Sequence, residues 1–176
     1  MVVRVPLAVL NVVGGVAILA SYALAFQHPP EVRDALWGGV PAAIQPVYTA
    51  SMLAAALGYF PMTHLFVLGT PAYEGASTKA HARALLLAYA ALLVPSAMWL
   101  PMTVELILAP SLGLWWLVRM VLFAVAAGTL TLLLFTLRHA RASRAWHRWL
   151  PVAGAVALSL QTVVLDALVW PAFYPM

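Results

Sequence analysis

Apolar runs alternate with short polar breaks along this chain of 176 residues. The runs cover 5–27, 44–69, 84–108, 113–137 and 150–171. A helix rises about 1.5 Å per residue and the hydrocarbon core of a bilayer is roughly 30 Å thick, so about 20 apolar residues cross it. Every run meets that length. The pattern predicts an all-α polytopic membrane protein, a five-helix transmembrane bundle forming a single domain over 1–176. The polar breaks at 28–43, 70–83 and 138–149 are too short to form a core of their own.

Proline and glycine refine the pattern. The first break reads Gln27-His28-Pro29-Pro30 through Trp37-Gly38-Gly39-Val40-Pro41, which rules out a long helix there. Leu36 and Trp37 make it amphipathic, leaving open a lid over the bundle or a plain connector. Pro46 suits the first turn of the second span. Pro61, Pro95 and Pro101 lie deeper in spans two and three, where they are expected to bend the helices and open space between them. Pro110 to Gly113 predicts a tight antiparallel turn. Gly14-Gly15 reads as a packing site in span one. Ala124-x-x-x-Gly128 permits close helix approach, within the bundle or between two copies.

Composition agrees with a membrane chain. Hydrophobic residues make up 65%, charged residues only 8%, and mean hydropathy is +0.97. A soluble domain of this size cannot bury so much apolar surface. The absence of cysteine excludes disulfides and thiolate chemistry. The net charge of +4 does not indicate nucleic acid as a partner, because the arginines flank the spans. Arg4 followed by an apolar run and Ala23-Leu24-Ala25 has the outline of a signal peptide, but the run is long for one and reads as a retained span. The N-terminus, the 70–83 loop and the 138–149 loop share one side. That side carries Arg4, Lys79, Arg83, Arg138, Arg141, Arg144 and Arg148, against Arg33 alone on the other. The positive-inside rule therefore predicts a cytoplasmic N-terminus and a non-cytoplasmic C-terminus. The Arg-rich fourth loop reads as an anchor on anionic membrane lipid. Trp146 and Trp149 at one boundary, and Trp115, Trp116, Phe173 and Tyr174 at the other, read as interfacial aromatics.

Chemistry inside the spans is sparse. Glu105, Arg119 and Asp166 are the charged residues there, all within roughly 5–10 Å of the same surface by helical rise. Glu105 and Arg119 flank the tight turn and are expected to form a structural ion pair. Asp166 is then left for a ligand cavity, and with Glu105 it is a candidate proton donor. His64 reads as a hydrogen-bonded core residue. No metal-binding spacing, phosphate loop or nucleophile elbow is present in the sequence.

Three local motifs resemble the TspO family, the tryptophan-rich sensory proteins that include the translocator protein. Pro46-Val47-Tyr48-Thr49 is similar to the family's Pro-Val-Trp-Thr, with Tyr48 for Trp. Ser96-Ala97-Met98-Trp99-Leu100-Pro101 is similar to Asn-x-x-Trp-x-Pro, with Ser96 for Asn. Leu165-Asp166-Ala167-Leu168-Val169-Trp170 is similar to Leu-Asn-x-x-Ile-Trp, with Asp166 for Asn. The motifs fall in spans two, three and five, in the family's order. The first loop echoes the family's only in Trp37, Pro41 and Pro46. Met52 stands for a family Tyr, and Arg119 for an acidic residue. The resemblance implies a pocket under loop 1 for porphyrins, sterols or related lipophilic molecules, lined by Tyr48, Trp99, Asp166 and Trp170. Some family members break down a porphyrin in light using tryptophans in spans two and five. Tyr48 at the first position argues against that activity here.

The residues and the resemblance together predict a membrane receptor, sensor or translocator for a hydrophobic small molecule. Protoporphyrin, haem or a sterol-like lipid is the expected ligand, with no cofactor required. The expected binding residues are Trp37, Tyr48, Trp99, Pro101, Asp166 and Trp170. A homodimer is a further expectation. Two alternatives stay open: an enzyme acting on an isoprenoid or sterol through Asp166 or Glu105, and a structural subunit of a larger membrane complex.

Overall fold

A computed structural model describes residues 4–68, 79–142 and 149–175, the side chains of 141 and 142 excepted. The expectations for Trp146, Arg144, Arg148 and the Arg141 side chain lie outside the described residues. Among the described residues, five helices are long and apolar enough to cross a membrane. They are α1 (Arg4–Ala25), α3 (Gln45–Val67), α4 (Lys79–Leu108), α5 (Leu112–Ala142) and a last span over Trp149–Phe173. The short α2 (Pro30–Ala35) belongs to loop 1 and opens on a proline, whose missing N–H costs nothing in a first turn. The last span is composite: α6 (Trp149–Ser159), a π-helical segment (Leu160–Val169) and α7 (Trp170–Phe173).

Packing runs in a ring. α4 lies between α1 and α5, α5 packs on the last span, and the last span packs on α3. The ring closes weakly, since α1 and α3 touch least of the neighbouring pairs. Large apolar side chains point outward, as at Leu19 (71% exposed), Leu57 (69%) and Leu87 (69%). That inversion suits a surface bathed in lipid.

Small residues set the closest crossings. A Cβ on Gly154 would stand 2.2 Å from the Gly58 carbonyl oxygen, so only glycine lets α3 and α6 touch backbone to backbone. A Cβ on Gly128 would stand 2.7 Å from the Ala88 oxygen of α4. Gly128 is thus spent inside the bundle, which settles one of the two uses open to the Ala124–Gly128 spacing. Buried hydroxyls of Thr103, Thr129, Thr136, Ser159 and Thr162 each donate to the carbonyl four residues back, the ordinary solution for a hydroxyl in lipid.

Loop 1 is docked across one end of the bundle. Trp170 Nε1 donates to the Leu36 carbonyl at 3.0 Å, and the Gly39 N–H donates to the Phe173 carbonyl at 2.9 Å. Gly38 adopts φ +60°, a left-handed conformation that glycine takes without strain, and this lets the loop lie against Tyr174. The lid alternative therefore describes the loop better than the plain connector.

Candidate functional site

The loop-1 end holds a knot of aromatic rings. Trp170 is 4% exposed and meets Trp99 edge-on at 6.1 Å between ring centroids, with Trp115 at 6.1 Å and Tyr174 at 5.0 Å. Trp115 stacks on Tyr174 at 5.0 Å. Trp37 of loop 1 meets Tyr48 of α3 edge-on at 6.3 Å. Edge-on and tilted contacts match the ring quadrupoles and add to the burial of large apolar surfaces. Four of the expected site residues (Trp37, Tyr48, Trp99 and Trp170) are thus brought into one apolar cluster with Val118, Leu122 and Ala167. Burial pushes the Tyr174 hydroxyl above its ordinary titration range, so it stays neutral at physiological pH.

Asp166 lies beside this cluster on the π-helical segment. Gln161 Nε2 donates to its carboxylate Oδ1 at 2.7 Å. The five-residue spacing explains the pair: π-helical hydrogen bonds run from i to i+5, which stacks residues five apart, whereas an α-helix would splay them by about 140°. Tyr48 donates its hydroxyl to the neighbouring Leu165 carbonyl at 3.1 Å. Tyr22 of α1 packs with Trp99 against Leu100 and Val104. Two buried polar atoms in this part of the bundle are unspent. They are Gln161 Oε1, on a residue 5% exposed, and Trp99 Nε1. An orphaned buried group costs roughly 1–3 kcal/mol, which a ligand with matching polar atoms recovers.

The rings fill the volume where a chamber was expected between Trp99 and Trp170. A groove lies outside them. It measures about 490 Å³ and is lined by Trp37, Gln45, Pro46, Thr49 and Leu53, among others. Trp37 therefore has the groove on one side and the Tyr48 ring on the other. A second depression of about 350 Å³ sits between loop 1, the α4–α5 turn and Tyr174.

Several expectations are corrected. Glu105 and Arg119 form no ion pair. Glu105 is exposed on the outer face of α4. On α5, at about 100° per residue, Arg119 shares the flank of Trp115 and Ala126, which faces the last span, while Gly128 and Phe135 face α4. The width of α5 stands between the two charges. The Arg119 guanidinium lies over three rings instead, at 5.7 Å from Trp115, 6.0 Å from Trp116 and 5.3 Å from Phe123. Nearness in sequence across a tight turn suggested the pair, but rotation about each helix separates Glu105 from Arg119. Pro101 is exposed on the same outer face as Glu105 and does not join the rings. His64 is exposed, not a core residue. Trp115 is 7% exposed and Tyr174 stacks on it, so neither is a simple interfacial anchor, whereas Trp116 and Phe173 are exposed as expected. Gln161 and Tyr22 escaped the sequence reading. The pair Gln161–Asp166 is visible only with the π spacing, which hydropathy does not signal.

No family model, curated protein or solved structure matches this chain.

Proposed function

We infer that this protein binds a lipophilic small molecule at the loop-1 end of the bundle, as a membrane receptor or translocator of the TspO type. The carrying observation is the Asp166–Gln161 pair, held beside a wall of Trp and Tyr rings with Gln161 Oε1 and Trp99 Nε1 unspent. Apolar walls with a few convergent polar groups are what a flat, mostly apolar ligand requires. Tetrapyrroles and sterols are the classes that fit this chemistry. The groove outside Trp37, at about 490 Å³, falls in the size range of small-molecule sites. It supports a route in which Trp37 swings aside and the ligand reaches Tyr48. The described cations Arg4, Lys79, Arg83 and Arg138 gather at the opposite end, which supports a cytoplasmic N-terminus and a site in the non-cytoplasmic half.

The test is titration of the purified protein in detergent with protoporphyrin, haem and sterols, following tryptophan fluorescence. Saturable quenching is expected for one class, weakened about tenfold or more by Trp99→Ala, a loss of about 1.4 kcal/mol. A linear, unsaturable response to every compound removes the reading.

A further inference from the structure

Asp166 has no opposite charge to meet among the described residues. Its side chain receives one hydrogen bond from the chain, from the neutral Gln161 Nε2 at 2.7 Å, and no Lys, Arg or His makes an ion pair with it. Arg119, on the helix packed against this span, is held over Trp115, Trp116 and Phe123 instead. The donors of the ring cluster are directed elsewhere. Tyr48 gives its hydroxyl to the Leu165 carbonyl at 3.1 Å, and Trp170 gives Nε1 to the Leu36 carbonyl at 3.0 Å. Gln161 adds a further acceptor, Oε1, which is buried and unpartnered on a residue 5% exposed. Trp99 Nε1 also lacks a partner, but it is a neutral donor and supplies no charge. This part of the last span is therefore rich in acceptors and carries a net negative charge. A carboxylate at membrane depth is costly unless an opposite charge or water answers it.

We propose that Asp166 anchors a lipophilic amine, so that the site selects flat apolar molecules bearing a protonated nitrogen over neutral ones of the same skeleton. The inference rests on the ligand site proposed above and narrows its occupant. Residues four apart on a helix share a face, so Trp170 stands one turn beyond Asp166 toward loop 1. Leu165 and Ala167, on either side of Asp166, both pack in the ring cluster. An ammonium at Asp166 meets three complementary features. The carboxylate answers its charge, Gln161 Oε1 accepts a second N–H, and the faces of neighbouring rings attract the cation. The same cluster already uses a ring face in this way, since Trp115 lies under the Arg119 guanidinium. Folding has already taken the carboxylate out of water, so the arriving cation meets a charge whose desolvation is complete. A neutral hydroxyl makes one ordinary hydrogen bond there and leaves the charge unanswered. Trp37, which lines the groove and meets Tyr48 edge-on, stands on the route in.

The experiment compares matched pairs of probes in an uncharged detergent, following tryptophan fluorescence. One pair is a sterol and the aminosterol in which an amine replaces its hydroxyl. The other is acridine, neutral at physiological pH, and an aminoacridine, cationic there. The native protein is expected to bind the amine of at least one pair about tenfold or more tighter than its neutral partner. Asp166→Asn is expected to abolish that preference while leaving the neutral compound's affinity within about twofold. Asp166→Glu keeps the charge and is expected to retain the preference, which separates a role in charge recognition from damage to the fold. Saturable binding of both members of each pair with equal affinity in the native protein overturns this inference and leaves the ligand site standing. A preference for amines that survives Asp166→Asn overturns it as well, because the charge that selects them then lies elsewhere. Absence of saturable binding by all four probes, together with protoporphyrin and haem, overturns the inference and the ligand site alike.

Discussion

The two ends of the bundle solve the same problem differently. Away from loop 1, the core mixes aliphatic side chains, among them Leu7, Met62, Leu85, Leu92 and Leu132, with Phe66, Tyr89 and Phe135, and holds no tryptophan. Its polar groups are matched: Tyr59 donates to Asn11 Oδ1, and Tyr89 donates to Thr63 Oγ1 at 3.2 Å. Toward loop 1, tryptophans enter the core and the matching is incomplete. Every buried polar side-chain atom without a partner among the described residues lies from mid-membrane up to the loop-1 end: Arg33 Nε, Trp99 Nε1, Arg119 Nε and Gln161 Oε1. One half spends its hydrogen bonds on holding the fold together. The other leaves some of them unmade.

The contrast can be broken in several ways. Trp170→Ala removes contacts with three rings and the bond to Leu36, so it is expected to cost about 3–5 kcal/mol. Thermal unfolding in detergent measures it, and limited proteolysis should show cleavage within loop 1. Gly154→Val forces α6 off α3 and is expected to cost about 1–3 kcal/mol or more while leaving the ring knot intact. Near-ultraviolet circular dichroism separates the two cases, because the tryptophan signal should collapse in the first variant and persist in the second. Asp166→Asn keeps the shape and removes a charge from an apolar setting, so stability is expected to move by less than about 1 kcal/mol in either direction. A loss above that would make Asp166 a structural anchor and remove it from the ligand site. Thr136→Val deletes only a hydroxyl already bonded to its own helix, with a change expected below about 0.6 kcal/mol in the same unfolding assay.

The legible part of this molecule is the part that hydropathy controls. Every predicted span lies within a few residues of a helix, because a segment of about 20 apolar residues has no other stable form in lipid. Pro46 also fell in the first turn of α3, and a tight turn joins α4 to α5 as expected, though over 109–111, because α5 already starts at Leu112. Trp37, Tyr48, Trp99 and Trp170 were identified individually, and they do meet. Glu105–Arg119 failed because proximity in sequence and depth fixes only two coordinates of a side chain. The third, its rotation about the helix, depends on which neighbour each helix packs against.

The sequence by itself determined how many times the chain can cross a membrane and roughly where it turns. Only the tertiary structure decided that loop 1 closes over the rings, that Gly58 meets Gly154, and that Gln161 reaches Asp166 through a π-helical register. The physical reason is one of range. Crossing lipid is a property of each segment and its solvent, so it is written locally. Ring contacts, backbone crossings and helical register arise from forces between segments distant in sequence, and those forces exist only once the segments have packed.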